Sequence, residues 1–138
     1  MTRKRNDNHS TEFGLWIREF GPDSKRDGLD LENLDYVLFN YYTGDLALVE
    51  EKRYGGKPTI AQWDTLGIVD QLLKYGSDLK RPVKTLRGWR SIKYHGLYLL
   101  RFENTTPDDG WVELNGERIS KDDVIRFFNF GRKTHYRG

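Results

Sequence analysis

Apolar residues follow two different periods along this chain, and each period predicts one type of secondary structure. A spacing of three and four residues predicts three helices, each with one buried face. Their inward positions are Phe13, Trp16, Ile17 and Phe20; then Ile60, Trp63, Leu66, Val69 and Leu73, between Pro58-Thr59 and Gly76; then Val124, Phe127 and Phe128.

Capping residues bound the first and last of these helices. A hydroxyl at Ser10 or Thr11 can cap the first helix, and Gly21-Pro22 ends it, because proline cannot continue a helix. The loop from 23 to 33 that follows is polar. Ser120 and Asp123 have the spacing of a capping box, which predicts the start of the last helix.

Dense runs of apolar, aromatic and β-branched residues predict strands. These are 34–42 and 46–52, a short strand at 83–86, one or two strands within 92–102, and a pair at 111–114 and 117–119. Thr43-Gly44-Asp45 and Asn115-Gly116 are turn sequences that make hairpins of the first and last pairs. The predicted fold class is α+β, with a central mixed sheet flanked by helices.

The length of 138 residues suits one domain, predicted at 10–130, with short basic tails at 1–9 and 131–138. The chain has no cysteine, which excludes disulfides, thiolate metal sites and a cysteine nucleophile. Mean hydropathy is −0.80 and no apolar run is long enough to span a bilayer. No leader-like apolar segment follows the basic N-terminus. We therefore expect a soluble cytoplasmic protein without a membrane partner.

Positive charge is concentrated in one part of the chain, although the net charge is only +2. Six basic residues and no acidic residue lie between positions 80 and 93. Basic side chains neutralise phosphates, and exposed aromatic rings stack on bases. The residues predicted to bind nucleic acid are Lys57, Lys80, Arg81, Lys84, Arg87, Trp89, Arg90 and Lys93. The alternative is that this stretch is only a solvated surface.

A second cluster of charges lies at the end of the strand 46–52. Side chains alternate along a strand, so Glu50 and Lys52 point to the same face. Asp35, near the start of the preceding strand, lies opposite them if the two strands pair in antiparallel fashion. Two carboxylates beside an amine can hold Mg²⁺, which polarises a phosphate and acidifies a bound water. This arrangement is suited to phosphodiester hydrolysis.

Asp35 followed by Glu50-x-Lys52 at the end of an apolar strand resembles the signature of the PD-(D/E)xK nuclease superfamily. Gln62, at the start of the next helix, also matches a position used in several branches of that superfamily. The resemblance covers residues 10–75 and implies a restriction-endonuclease-like core, here followed by a C-terminal hairpin and helix. The chain departs from the signature at Leu34, where the superfamily has proline. Residues 79–138 match no pattern.

The resemblance implies a magnesium- or manganese-dependent DNA endonuclease that leaves 5′-phosphate and 3′-hydroxyl ends. Asp35, Glu50 and the backbone carbonyl of Glu51 would bind the metal, and Lys52 would position the attacking water. Gln62 and a glutamate of the first helix would assist. That glutamate is Glu12 or Glu19, seven residues apart on one stripe, and we favour Glu12 because it lies farther from the helix end. The chain is also similar to small phage-encoded members, which implies the host cytoplasm, and many such enzymes are homodimers.

Simpler interpretations of these residues remain open. A Glu-x-Lys triplet occurs by chance roughly once in a chain of this composition, and it can be a solvated strand end. Asp35 can be a residue that only begins a strand, and Gln62 can be an ordinary polar residue of a first helical turn. Glu12 can be placed there because a negative charge at the start of a helix interacts favourably with the helix dipole. The alternative functions are a non-catalytic nucleic-acid-binding module and a phage accessory protein that binds another protein.

Overall fold

The structure is a computed structural model that describes residues 11–20, 24–28 and 30–131. The chain forms two compact units, and the boundary between them lies between residues 32 and 33. The predicted helix end at Gly21-Pro22 and the predicted tail 1–9 lie outside the described residues. So does the predicted tail 131–138, apart from Gly131.

The first unit contains the helices α1 (Glu12–Phe20) and α2 (Ser24–Asp27). The hydroxyl of Thr11 accepts a hydrogen bond from the backbone of Gly14, as predicted for a helix start. The rings of Phe13, Trp16 and Phe20 contact one another in sequence, yet all three are more than half exposed. The prediction that these three rings are buried is therefore wrong. The helix α2 also lies in a segment predicted to be a loop.

The second unit is built around a five-stranded mixed sheet. Its elements are β1 (Tyr36–Phe39), β2 (Asp45–Lys52), α3 (Ile60–Asp78), β3 (Val83–Thr85), β4 (Gly88–Arg90), β5 (Lys93–Phe102), β6 (Val112–Leu114), β7 (Glu117–Ile119) and α4 (Lys121–Phe128). The strand order is β1-β2-β5-β6-β7, and β3 pairs with β4 in a separate hairpin. The strands β2 and β5 are parallel because α3 connects them, and the other pairs are antiparallel. The predicted α+β class with a mixed central sheet is confirmed.

The two faces of β2 are covered by different helices. Val49 belongs to the apolar core with Leu100, and α4 packs against that core through Phe127 and its neighbours. Glu50 points to the other face, where it contacts Gln62 of α3. Burial on both faces explains why β2 is a nearly continuous apolar run up to Glu50.

Two local signals predicted their structures correctly. Asn115 and Gly116 have positive φ angles of 51° and 83°, as a two-residue hairpin turn requires. Ser120 and Asp123 form the capping box of α4, with both reciprocal hydrogen bonds at 3.1 Å. These motifs were recognisable because each depends only on residues close together in sequence.

The helix α3 differs from its prediction in length and in its buried side. It continues past Gly76 to Asp78, and the Ser77 hydroxyl accepts a hydrogen bond from the Tyr94 backbone at 3.1 Å. Its buried residues are Gln62, Leu66 and Asp70, so Leu66 is the one member of the predicted apolar stripe that is buried. Ile60, for example, is 91% exposed.

Among residues 11–20, 24–28 and 30–131, no helix combines the length and the apolar character needed to cross a membrane.

Candidate active site

Asp35 and Glu50 meet at the edge of the hairpin formed by β1 and β2. The register pairs Tyr36 with Val49, so its extension by one residue places Asp35 opposite Glu50. The Asp35 carboxylate Oδ2 accepts a hydrogen bond of 2.8 Å from the backbone N–H of Glu51. This bond fixes Asp35 beside the strand end, where the sequence predicted it to be.

Glu50 is a buried carboxyl group with one satisfied and one unsatisfied oxygen. The residue is 2% exposed. Its Oε2 accepts a hydrogen bond from the side-chain amide of Gln62 and lies 3.4 Å from Nζ of Lys52. Its Oε1 is buried, and no amine, amide or hydroxyl donor in the described part of the chain reaches it, whereas the Asp35 carboxyl lies within hydrogen-bonding reach of Glu50 when one of the two groups is protonated. Leaving such an oxygen without a partner costs about 1–3 kcal/mol, and more if the group is charged.

The surroundings of Glu50 favour its neutral form when no cation is bound. Burial raises the pKa of the Glu50 carboxyl to about 7, and the adjacent Asp35 carboxyl contributes to the same rise. The Lys52 ammonium opposes this shift only in part. A proton on Glu50, or a cation shared with Asp35, would relieve the repulsion between the two carboxylates.

Lys52 and Gln62 approach Glu50 from different elements. Lys52 lies two residues after Glu50 on the same face of β2, and its side chain is 26% exposed, so its amine is accessible from solvent. Gln62 lies in the first turn of α3, where its backbone N–H donates to the capping hydroxyl of Thr59 at 3.0 Å. Because its side chain donates to Glu50, Gln62 is more than a polar first-turn residue.

The side chain of Glu51 points away from this cluster. Its Oε2 accepts a hydrogen bond from the Tyr36 hydroxyl at 3.2 Å, on the face of β2 opposite to Glu50. Glu51 could therefore contribute only its backbone to a metal site at Asp35 and Glu50, as the resemblance implies.

Glu12 and Glu19 are both in α1, in the first unit, whereas Asp35, Glu50 and Lys52 are in the second. The choice between the two helix glutamates stays a prediction.

Arg101 is a residue of this region that the sequence analysis missed. Its guanidinium donates to the backbone oxygens of Gly55 and Gly56 at 2.8 Å and to the carboxylate of Glu113 at 2.6 Å. It thereby holds the loop that leads from Lys52 to α3. An arginine between Leu100 and Phe102, two buried apolar residues of β5, was the available signal, because a charged group at such a position needs several partners.

The predicted nucleic-acid-binding residues lie in two segments of the chain. Lys57 is in the loop between β2 and α3. The others lie between the end of α3 and the start of β5: Lys80, Arg81, Lys84, Arg87, Trp89, Arg90 and Lys93. Lys93 pairs with Asp45, at the opposite end of β2 from Glu50. Asp45 and Glu50 are five residues apart along β2, which corresponds to about 17 Å.

The donor set at Asp35 and Glu50 fits a hard divalent cation. Mg²⁺ is commonly held by one or two carboxylates and completes its shell with waters and substrate phosphates. The unpartnered Oε1 of Glu50 is a free oxygen ligand beside a second carboxyl group. No group of three or more His, Cys, Asp or Glu side chains suited to a metal occurs within the residues described. A cation here would therefore depend on water and substrate for its remaining ligands.

Comparisons with family models, curated proteins and solved structures gave no match to this chain.

Proposed function

We propose that this chain is a metal-dependent nuclease that hydrolyses DNA phosphodiester bonds, with its active site at Asp35, Glu50 and Lys52. The observation that carries the proposal is the buried carboxylate of Glu50. When both carboxyl groups are ionised it has one oxygen without a hydrogen-bond donor, a second carboxylate beside it and an amine 3.4 Å away. A purely structural acid would have its oxygens paired, because burial without partners is costly.

A divalent cation supplies what this cluster lacks. Asp35 and Glu50 together carry two negative charges when ionised, and Lys52 balances only one of them. Mg²⁺ or Mn²⁺ held by the two carboxylates and the Glu51 carbonyl would compensate the remaining charge. When bound, such a cation polarises the scissile phosphate and makes a coordinated water more acidic.

The other residues have roles that follow from their contacts. Lys52 is partly exposed, so its N–H groups can hold the attacking water or an oxygen of the phosphate as negative charge develops there. Gln62 is a positioning residue, since it holds the Glu50 carboxylate by its side-chain amide. By the resemblance, Glu12 assists and the products carry 5′-phosphate and 3′-hydroxyl ends.

The test is cleavage of plasmid, linear, single-stranded and branched DNA in Mg²⁺, in Mn²⁺ and in EDTA. We expect cleavage only with a divalent cation, and its loss in Asp35→Asn and Lys52→Ala. Lys74→Ala is a matched control, since Lys74 also pairs with a carboxylate, that of Asp70, at 3.1 Å. Retained cleavage in either site variant, or cleavage in EDTA, would refute the assignment.

A non-catalytic nucleic-acid-binding module is the second candidate. It is favoured by the position of Lys93 at the end of the basic stretch, since its partner Asp45 lies about 17 Å along β2 from Glu50. This alternative predicts DNA binding in EDTA and no cleavage with any metal.

A further inference from the structure

Two neighbouring loops of the second unit present aromatic and basic side chains together. Tyr41 and Tyr42 lie in the turn between β1 and β2, and Lys84, Arg87 and Trp89 lie in the hairpin of β3 and β4. We call these five residues the aromatic–basic surface. The two tyrosines were not recognised from the sequence as candidate binding residues.

Direct contacts join the two loops. The guanidinium of Arg87 lies over the ring of Tyr41, 5.6 Å from its centroid. Arg90 donates a hydrogen bond to the backbone oxygen of Tyr41 and lies over the ring of Phe39 at 5.3 Å. The β3–β4 hairpin therefore contacts the turn between β1 and β2 through the face that carries Arg90.

The other face of the hairpin carries Lys84 and Trp89, so the aromatic–basic surface includes residues on both faces of the hairpin. Lys84 and Trp89 are directly paired across the two strands, so their side chains share one face, and both residues are exposed. Trp89 is 69% exposed and Tyr42 is 96% exposed. Large rings so far out of the core contribute little to folding, because they bury little apolar area.

Both loops have conformations fixed by short-range hydrogen bonds. Thr85 accepts from the backbone of Arg87 at 3.2 Å and donates to the backbone of Gly88 at 2.8 Å. Asn40 accepts from the backbones of Tyr42 and Thr43 at 2.9 and 3.2 Å. The rings are thus presented from ordered turns, which lowers the entropy lost on binding a ligand.

We propose that the aromatic–basic surface binds a single-stranded segment of nucleic acid, which makes DNA with an unpaired segment the substrate class of the proposed nuclease. Stacking needs accessible base faces, which a single strand offers and an intact duplex does not. The positive charge complements phosphates, since residues 80–93 contain six basic residues and no acid. The assignment to a substrate rests on the proposed nuclease function.

The surface and the carboxylates are separated by the length of β2. The turn holding Tyr41 adjoins Asp45, at the start of β2, and Glu50 lies about 17 Å further along. A distance of 17 Å corresponds to about five stacked base steps of 3.4 Å, which is the length that one strand would have to span to reach from the surface to the carboxylates.

Binding in EDTA tests the surface without cleavage. Fluorescence anisotropy would compare a labelled oligothymidine with a duplex of equal length. We expect tighter binding of the single strand, and a loss of roughly 5- to 150-fold in Trp89→Ala and in Tyr42→Ala. Trp89→Phe should retain most of the affinity. Tyr75→Ala, which removes an exposed ring of α3, is the control and should bind like the unchanged protein.

Salt dependence gives a second readout. Lys84→Ala and Arg87→Ala should each reduce the slope of log affinity against log salt by about 0.7. Equal or tighter binding of the duplex, or Trp89→Ala and Tyr42→Ala variants that bind like Tyr75→Ala, would overturn the proposal. Failure of the nuclease function has a different signature, namely no cleavage in Mg²⁺ while the single strand still binds through Trp89.

Discussion

Asp35 immediately precedes β1 and lies opposite Glu50 when the antiparallel register of β1 and β2 is extended by one residue, and the Asp35 carboxyl is close enough to raise the pKa of Glu50. Like charges directly opposite each other destabilise a sheet. The pair is therefore costly to the folded protein, which is typical of functional sites rather than of structural ones. The expected pH dependence of stability and the expected stabilisation by a divalent cation both follow from this cost.

The contribution of Glu50 to the stability of the metal-free protein should fall as the pH rises from about 4.5 to about 7. The carboxyl has an ordinary pKa of 4.5 and a folded pKa of about 7, so the folded state binds more protons in this interval and deprotonation opposes folding. The difference in free energy of unfolding between the unchanged protein and Glu50→Gln should change by about 3 kcal/mol. Urea unfolding in EDTA across this pH range measures it.

The difference between the two proteins is the relevant quantity, because other acids titrate in the opposite sense. Hydrogen bonds from Thr43 and His95 lower the pKa of Asp45, whose contribution to stability is therefore lost as the pH falls. Parallel pH profiles for the unchanged protein and Glu50→Gln would contradict the expected role of Glu50.

Mg²⁺ or Mn²⁺ should stabilise the folded protein at pH 8. A cation that binds only the folded state adds about 2.7 kcal/mol at a concentration of a hundred times its Kd, enough to raise Tm by several degrees. The shift should be absent in Asp35→Asn and Glu50→Gln, and smaller at pH 5, where protons compete for Glu50. Thermal unfolding followed by circular dichroism measures it, and an equal shift in Asp35→Asn would exclude binding at this pair.

Gln62→Ala should reduce cleavage by about 10- to 100-fold without removing its dependence on a divalent cation. The variant removes the amide that holds Oε2 of Glu50, so the carboxylate loses its fixed orientation. Gln71→Ala is the matched control, because Gln71 is an exposed glutamine of the same helix. Plasmid cleavage rates compare the two, and equal rates would leave Gln62 with a structural role only.

Arg101→Ala should destabilise the protein by about 2 kcal/mol, since it removes charged hydrogen bonds to Gly55, Gly56 and Glu113. Arg101→Lys should recover little of this, because an ammonium cannot reproduce the planar set of donors. Arg118→Ala removes a more exposed partner of Glu113 and should cost below about 1 kcal/mol. Urea unfolding measures all three, and equal losses at Arg101 and Arg118 would contradict the anchoring of the loop.

Much of the fold could be predicted where the determining residues are close in sequence. The turn at Asn115-Gly116 and the capping box of Ser120 and Asp123 form as expected, because both depend on contacts within a few residues. The full set of buried residues of α3 could not be predicted in this way. Gln62 and Asp70 are buried because Glu50 and Tyr94 provide partners from other elements.

The candidate site shows the same division. Alternation along β2 already placed Glu50 and Lys52 on one face, and the turn at Gly44 implied a partner strand that begins near Asp35. The arrangement of the two loops in the aromatic–basic surface was not predictable, because Tyr41 and Arg87 are far apart in sequence and meet only through packing.

The sequence alone determined the periods, turns and caps, and through them the α+β class and the order of most elements, since these depend on local backbone preferences. Only the tertiary structure decided which partners each buried polar group has. In the folded protein, Oε1 of Glu50 has no hydrogen-bond donor among the described residues, and Arg101 donates to the loop after Lys52. The basic hairpin lies near the start of β2, at the end opposite to Glu50. The physical reason is that burial and charge depend on groups brought together from distant positions, which periodicity does not encode.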